Sequence, residues 1–121
     1  MTSKFRHITP VLPTSNLKRD IKWYHDQLGF NYYMGQEDYA VLNRDDQWVH
    51  LQWHADTDED PLRGGSVMKI FVDDIHPIFE ELLERGTVTK DKLRMQTPWN
   101  TNEFGFYDLN KNAIFFVADI V

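Results

Sequence analysis

Hydrophobic and polar positions along this chain follow one order twice: a short strand, a helix and then three strands. In the first half, the apolar residues of the helix recur at helical spacing, at Leu17, Ile21, Tyr24 and Leu28. Asn16 can cap the start of this helix, and Gly29 can end it. The strands of the first half are predicted at residues 7–12, 30–34, 39–43 and 47–53.

The second half begins with a β-prone run at residues 67–72. Asp74 can cap the helix that follows, Pro77 is tolerated in its first turn, and Gly86 is expected to end it. A strand at residues 88–95 and a hairpin at residues 97–117 complete the predicted order. In the hairpin, two apolar strands flank a polar turn rich in Asp and Asn.

These patterns predict an α+β fold within a single domain over residues 1–121. Paired βαβββ modules, at approximately residues 5–54 and 66–119, are expected to form curved mixed sheets around a cleft. A polar segment at residues 55–65 links the two modules.

Several short motifs carry a family resemblance: Pro10-Val11-Leu12, Trp23-Tyr24, Leu28-Gly29-Phe30, Pro98-Trp99, Glu103-Phe104, and Asp108 with Asn112. Through them the chain resembles the vicinal-oxygen-chelate superfamily of glyoxalases, bleomycin resistance proteins and dioxygenases, and within it the bleomycin resistance proteins. The resemblance covers nearly the whole chain, and the Pro-Trp to Glu-Phe hairpin is its more specific part. It implies a homodimer that exchanges an N-terminal arm at Pro10. Without the resemblance, Pro10 indicates only an edge strand or a bent strand.

The resemblance also identifies the four positions at which metal-dependent members of the superfamily carry metal ligands. Metal-dependent members carry His or Glu at one cleft-facing position in each of four strands, and these positions fall at Thr9, His50, Val67 and Phe115. Only His50 is a suitable ligand there, because valine and phenylalanine have no donor atom. His54 would lie about 13 Å from His50 along a strand, too far for both to bind one ion. No metal, no cofactor and no catalytic residue are therefore predicted.

Composition and charge narrow the range of partners. The net charge is −6 and no basic stripe is present, so nucleic acid is not an expected partner. The chain contains no cysteine, which excludes a thiolate nucleophile and a disulfide framework. No segment approaches membrane-spanning length and the first residues lack the apolar core of a signal peptide. No membrane partner and a cytoplasmic location are expected.

Aromatic residues make up 14% of the chain, enough to line a pocket for a flat ligand as well as to fill a core. Side chains alternate along a strand, so candidate ligand-binding residues can be chosen by the face that they share. The predicted set is Tyr39, Trp48, His50, Gln52, Lys69, Phe71, Trp99 and Phe115. Trp99 belongs to it through the resemblance, which implies that the tryptophan of the Pro-Trp motif helps to form the drug-binding groove at the dimer interface. A core position is the alternative for Trp99. Glu37, Asp38 and the acids of residues 56–60 would attract a cationic ligand or simply form a solvated surface.

The sequence therefore predicts a non-catalytic small-molecule binding protein. Two copies would sequester a bleomycin-type antibiotic, or another small aromatic and cationic ligand, in a dimer-interface cleft. Two alternatives stay open. One is a metal-dependent glyoxalase- or dioxygenase-like enzyme, and the other is a binding module for an unrelated metabolite.

Overall fold

Two mixed sheets and two helices make up the computed structural model, which describes residues 2–120. The elements in chain order are β1 (Val11–Thr14), α1 (Leu17–Leu28), β2 (Asn31–Gln36), β3 (Tyr39–Arg44), β4 (Gln47–Trp53), β5 (Val67–Phe71), α2 (Ile75–Glu84), β6 (Thr101–Tyr107) and β7 (Ala113–Asp119). The strand order is β1-β4-β3-β2 in the first sheet and β5-β7-β6 in the second. β1 pairs in parallel with β4, β5 pairs in parallel with β7, and the other neighbours are antiparallel. The predicted α+β class with mixed sheets is confirmed. The ends of the predicted domain, Met1 and Val121, lie outside the described residues.

Local capping signals account for the helix boundaries. The Asn16 side chain accepts a hydrogen bond from the backbone N–H of Arg19 at 3.1 Å, and α1 ends at Gly29, which has a left-handed φ of 72°. The Asp74 side chain caps α2 in the same way, as predicted. α2 ends at Glu84 with Arg85 as its C-cap, and Gly86, which has a left-handed φ of 79°, terminates it as predicted. Neither helix of the described chain has the length and apolar character needed to cross a membrane.

The first strand differs from the prediction for residues 7–12. β1 begins only at Val11 and passes through Pro13. Residues 2–10, the N-terminal arm, form neither helix nor strand, and two large apolar side chains of the arm are almost fully exposed: Phe5 at 92% and Ile8 at 94%. Proline is compatible with β1 because β1 is an edge strand, where a missing N–H costs no ladder hydrogen bond.

The strand predicted at residues 88–95 is wrong. Lys90–Lys92 form a 3₁₀ turn instead, and Arg94 forms a backbone bridge to Glu103. The middle of this segment is polar, and the Thr89 hydroxyl hydrogen-bonds to the Asp91 carboxylate. Such a short-range side-chain contact favours a local turn over strand pairing. The second module is therefore βαββ rather than βαβββ.

Alternate residues of the strands pack with both helices into one continuous core. The core side chains from the strands are Leu12, Ala40, Leu42, Val49, Leu51, Met68, Phe104, Ile114, Phe116 and Ala118. The opposite side of each sheet, termed its outer face, carries the remaining strand side chains, which are largely exposed or half-buried. The helices thus occupy the inner faces and leave both outer faces open.

A buried polar network joins the β6–β7 turn to helix α1. Asp108 Oδ2 accepts hydrogen bonds from the Tyr24 hydroxyl at 2.6 Å and from Asn112 Nδ2 at 2.8 Å. Asp108 Oδ1 accepts from the backbone N–H groups of Asn110 and Asn112 at 2.8 and 2.9 Å. Asn110 Nδ2 extends the network by donating to Asp20 at 2.5 Å. Burial, together with the negative charge of Asp108, raises the pKa of Tyr24, so its hydroxyl remains a donor.

A second contact between the modules is an ion pair. Arg44, at the end of β3, donates two hydrogen bonds to the Glu81 carboxylate on α2, both at 2.7 Å. Arg44 also donates to the carbonyl of Leu28 at 2.8 Å, at the end of α1. Arg85 adds a further hydrogen bond to Glu81 at 2.9 Å. The hydrogen bonds from Arg44 lower the pKa of Glu81 and outweigh the opposing effect of burial.

Replacing Tyr24 with phenylalanine tests the buried network, because Tyr24→Phe removes one donor to the Asp108 carboxylate. We expect the free energy of unfolding to fall by about 2 kcal/mol, within the range for hydrogen bonds to charged groups. Urea unfolding measures the change, and Tyr107→Phe, at an exposed tyrosine, is the matched control. Equal stability of the two variants would mean that this hydrogen bond does not hold the modules together.

The Arg44–Glu81 pair should make stability depend on pH. The pKa of Glu81 in the folded chain is lower than its ordinary 4.5, so the pair stabilises the fold above that value and loses its effect as the pH falls through the folded pKa. Glu81→Gln should therefore destabilise the chain at neutral pH, with a difference that shrinks below about pH 4. Urea unfolding across this range, with Glu84→Gln on the same helix as control, checks the trend. A difference that is constant with pH would contradict it.

Candidate functional site

The outer face of the first sheet carries four of the predicted ligand-binding residues. The Tyr39 hydroxyl lies 2.7 Å from His50 Nδ1, and the two rings meet edge to face. Gln52 pairs directly with Tyr39 across β3 and β4. Trp48 lies nearer the start of β4, where its ring meets that of Tyr33 edge to face, with centroids 5.0 Å apart. Trp48, His50 and Gln52 share this face because they alternate along one strand.

The outer face of the second sheet carries Lys69, Phe71 and Phe115. Phe115 lies between Lys69 on β5 and Gly105 on β6 in the strand register. The Phe115 ring packs directly over Gly105, since a Cβ atom placed on this glycine would be 2.5 Å from ring atoms. Phe71, two residues after Lys69, is 61% exposed. Gly105 therefore supplies the space in which the Phe115 ring lies against the sheet.

Trp99 precedes β6 and is held by Glu103. Its indole Nε1 donates to Glu103 Oε1 at 2.5 Å, and the Thr101 hydroxyl donates to the same oxygen at 2.8 Å. The Arg94 guanidinium lies 5.2 Å from the centroid of the indole ring. Trp99 is 55% exposed, so the alternative interpretation of a core tryptophan is wrong. The Glu103 backbone pairs with Val117, which is buried but outside the core, on the outer face.

A cavity of about 580 Å³ brings some of these residues together. Trp48 from β4 lines it with Lys69 and Phe71 from β5, next to Ile8 and Pro10 of the N-terminal arm. Three residues of the predicted set thus lie around one cavity between the two modules. The other five, which are not part of its lining, are Tyr39, His50, Gln52, Trp99 and Phe115.

The acidic residues that could attract a cationic ligand lie in separate parts of the structure. Glu37 and Asp38 form the β2–β3 turn and border a separate cavity of about 830 Å³. The acids of residues 56–60 lie in the linker between the modules and are mostly exposed. Asp45 and Asp46, in the turn between β3 and β4, line the cavity that contains Trp48. The carboxylates that line the cavity of about 580 Å³ are therefore not the acidic residues predicted to attract a cationic ligand.

The residues do not fit the metal site that the resemblance allows. Val11, rather than Thr9, pairs with His50 in the β1–β4 ladder, and valine has no donor atom. Thr9 lies before the strand, in the N-terminal arm. Val67 in β5 and Phe115 in β7 lie in different rows of the register, since Val67 pairs with Ala113 and Phe115 pairs with Lys69, and neither has a donor atom. Across residues 2–120, no group of three or more His, Asp or Glu side chains is arranged to hold a metal ion.

Comparisons with known proteins agree with this architecture. The family profile of the Glyoxalase/Bleomycin resistance protein/Dioxygenase superfamily matches residues 4–116. The Bleomycin resistance protein of Geobacillus stearothermophilus is 23% identical over 125 aligned residues, which cover 92% of this chain and 95% of that protein. The crystal structure of a bleomycin resistance determinant encoded on transposon Tn5 has a TM-score of 0.77 at 16% identity, covering 97% of this chain and 100% of that one. The bleomycin-binding protein of bleomycin-producing Streptomyces verticillus, solved with copper(II)-bleomycin, has a TM-score of 0.72 at 24% identity. The match covers 97% of this chain and 98% of that one. The resemblance expected from the sequence motifs is confirmed.

The contact between Gly105 and Phe115 can be tested by a double-mutant cycle. Gly105→Ala places a methyl group against the ring, and we expect the free energy of unfolding to fall by about 1–3 kcal/mol, as at other overpacked positions. In a Phe115→Ala background the same substitution should cost less, because the ring is gone. Urea unfolding of the wild-type chain, the two single variants and the double variant gives the coupling free energy between the two positions. An equal cost in both backgrounds would mean that the ring does not occupy this space.

Proposed function

Given that the chain belongs to the Glyoxalase/Bleomycin resistance protein/Dioxygenase superfamily, we propose that it is a non-catalytic protein that sequesters a bleomycin-type antibiotic. The observation that carries this proposal is the set of aromatic side chains on two outer faces that no helix covers. The ligand would be a small molecule with flat aromatic rings and a cationic group. It would be captured stoichiometrically and released unchanged.

The open outer faces support a homodimer as part of the proposal. Exposed apolar side chains are present on both faces, and they are Val11, Tyr33 and Met34 on the first sheet and Val67, Phe71 and Tyr107 on the second. Soluble monomers rarely leave large contiguous apolar patches uncovered. A twofold pairing would cover the same patches on both copies at once. The exposed N-terminal arm would pair with the partner copy around Pro10.

The aromatic rings supply stacking surfaces for the ligand. Trp48 and Phe71 line the cavity between the modules. Phe115 lies on the same outer face as Phe71, and Trp99 is hydrogen-bonded to Glu103 on that face. A heteroaromatic ring that stacks on one of them gains ~0.5–1.5 kcal/mol beyond the burial of its area. The net charge of −6 favours the approach of a cationic molecule over that of an anion.

Capture without turnover is proposed because of the chemistry of the side chains present. His50 Nδ1 is engaged by the Tyr39 hydroxyl, and its ladder neighbour Val11 has no donor atom. The sequence contains no cysteine. The ligand class is supported by the relative from Geobacillus stearothermophilus, called a bleomycin resistance protein, and by the protein of the same fold solved with copper(II)-bleomycin.

A fluorescence titration tests the proposal. We expect bleomycin to quench the tryptophan emission and to saturate at one drug per chain. Trp99→Ala should weaken binding by roughly fivefold or more, because a stacking surface is lost. The matched control is Trp53→Ala, at a half-exposed tryptophan outside the predicted set. No response at high drug concentration would reject a bleomycin-type ligand, and equal affinity of the two variants would remove Trp99 from the site.

Sedimentation of the same samples tests the dimer separately. The free protein and the drug complex should both sediment as dimers, because the outer faces are exposed in each copy. A monomer that binds bleomycin with unchanged affinity would overturn the dimer-interface cleft while leaving capture of the drug intact.

A further inference from the structure

Glu103 is a buried carboxylate on the outer face of the second sheet. It is 5% exposed, although the neighbouring Trp99 is 55% exposed. Within β6 it is the lone charged residue between apolar and uncharged polar neighbours. Burying a carboxylate is costly unless a cation or several hydrogen bonds compensate the charge. The hydrogen-bond donors and cations around Glu103 therefore show how far its charge is compensated within the chain.

The two oxygens of Glu103 are used unequally. Oε1 accepts hydrogen bonds from Trp99 Nε1 at 2.5 Å and from the Thr101 hydroxyl at 2.8 Å. Oε2 accepts none from residues 2–120. Among these residues, Asn112 Oδ1 is the one fully buried side-chain oxygen or nitrogen atom that lacks a hydrogen-bond partner. Glu103 Oε2 lacks a protein partner too, but it is not fully buried and is therefore in contact with solvent.

Nearby cations do not neutralise this carboxylate. Arg94 is bound to Glu103 through two backbone hydrogen bonds, both at 2.9 Å, while its guanidinium lies over the Trp99 ring. Lys69 lies opposite Phe115, in a different row of the strand register from Glu103. No ion pair within 4.0 Å links Glu103 to a Lys, Arg or His side chain of the described chain. The charge is thus held in place by two donors and left without a counter-charge.

We infer that Glu103 Oε2 receives an N–H donor from the cationic group of the ligand, such as an amidinium, guanidinium or ammonium. This inference rests on the proposed function and specifies which part of the ligand the site selects. A carboxylate oxygen only accepts hydrogen bonds, and those from a cation are the strongest that it forms. The exposed Trp99 ring beside it also attracts cations through its π face. Trp99 and Thr101 fix the carboxylate, so little ordering is needed when the ligand binds.

Glu103→Gln tests this role because it removes the charge and preserves the shape and an acceptor for Trp99 and Thr101. The probes are bleomycin B2, whose tail ends in a guanidinium, and bleomycinic acid, in which the tail is replaced by a carboxylate. The wild-type chain should bind bleomycin B2 about tenfold or more tightly than the acid. In Glu103→Gln this ratio should fall several-fold.

Asp119→Asn is the matched control, since it removes one negative charge from an exposed position at the end of β7. It should keep the wild-type ratio. A Glu103→Gln protein that binds both drugs more weakly by the same factor would assign Glu103 only to the support of Trp99, and this would overturn the inference. The same conclusion follows if Glu103→Gln and Asp119→Asn change the ratio equally.

A second pair of probes separates this inference from the antibiotic function. If the wild-type chain binds neither drug, the proposed function fails, and benzamidine and its uncharged analogue benzamide then test Glu103 through the tryptophan emission. Tighter binding of benzamidine that is lost in Glu103→Gln would support a cation site at Glu103. Equal binding of the two probes, or binding of neither, would overturn it.

Discussion

The placement of the β6–β7 hairpin on the first module depends on one carboxylate, that of Asp108. Two of its hydrogen bonds come from backbone N–H groups of its own turn, and two come from Asn112 and Tyr24. The backbone pair shapes the β6–β7 turn, and the Tyr24 bond fixes that turn against α1. One side chain therefore sets both the hairpin and its position on the first module. Because the network is shielded from water, a displaced hairpin would leave a buried charge without its partners.

This arrangement divides the aromatic residues of the chain into two populations. Phe104 and Phe116 stack inside the core, with ring centroids 5.4 Å apart, and hold the second sheet against the helices. Phe115 and Trp99 belong to the same hairpin but lie on its outer side. The alternation of a single strand thus separates Phe115 from Phe116, so that one ring lies on the outer face and its neighbour lies in the core.

Sequence predicts this structure where the determinants are local. Asn16 and Gly29 bound α1 to the residue, because capping depends on nearby backbone groups. Residues 88–95 are β-prone, but a strand needs a partner and this polar segment turns on itself. Alternation places the predicted ligand-binding residues of the strands on the outer faces, whereas their grouping around a cavity depends on how the modules pack. The register of β1 against β4 is also tertiary, which is why Thr9 is not the residue beside His50. The environment of Glu103 is likewise tertiary, because it depends on the hydrogen bond from the Trp99 indole.

The packing of Phe115 over Gly105 has a consequence for the evolution of this chain. A carboxylate at position 115 would supply a donor atom at a position that the resemblance links to a metal centre, but it would also vacate the space above the glycine. Val11 and Val67 would still contribute no donor atom. Building a metal site on these faces therefore requires several substitutions, of which the first loses packing before any ion can be held. The first of these steps is destabilising, so a metal site would form only if several of these positions changed together.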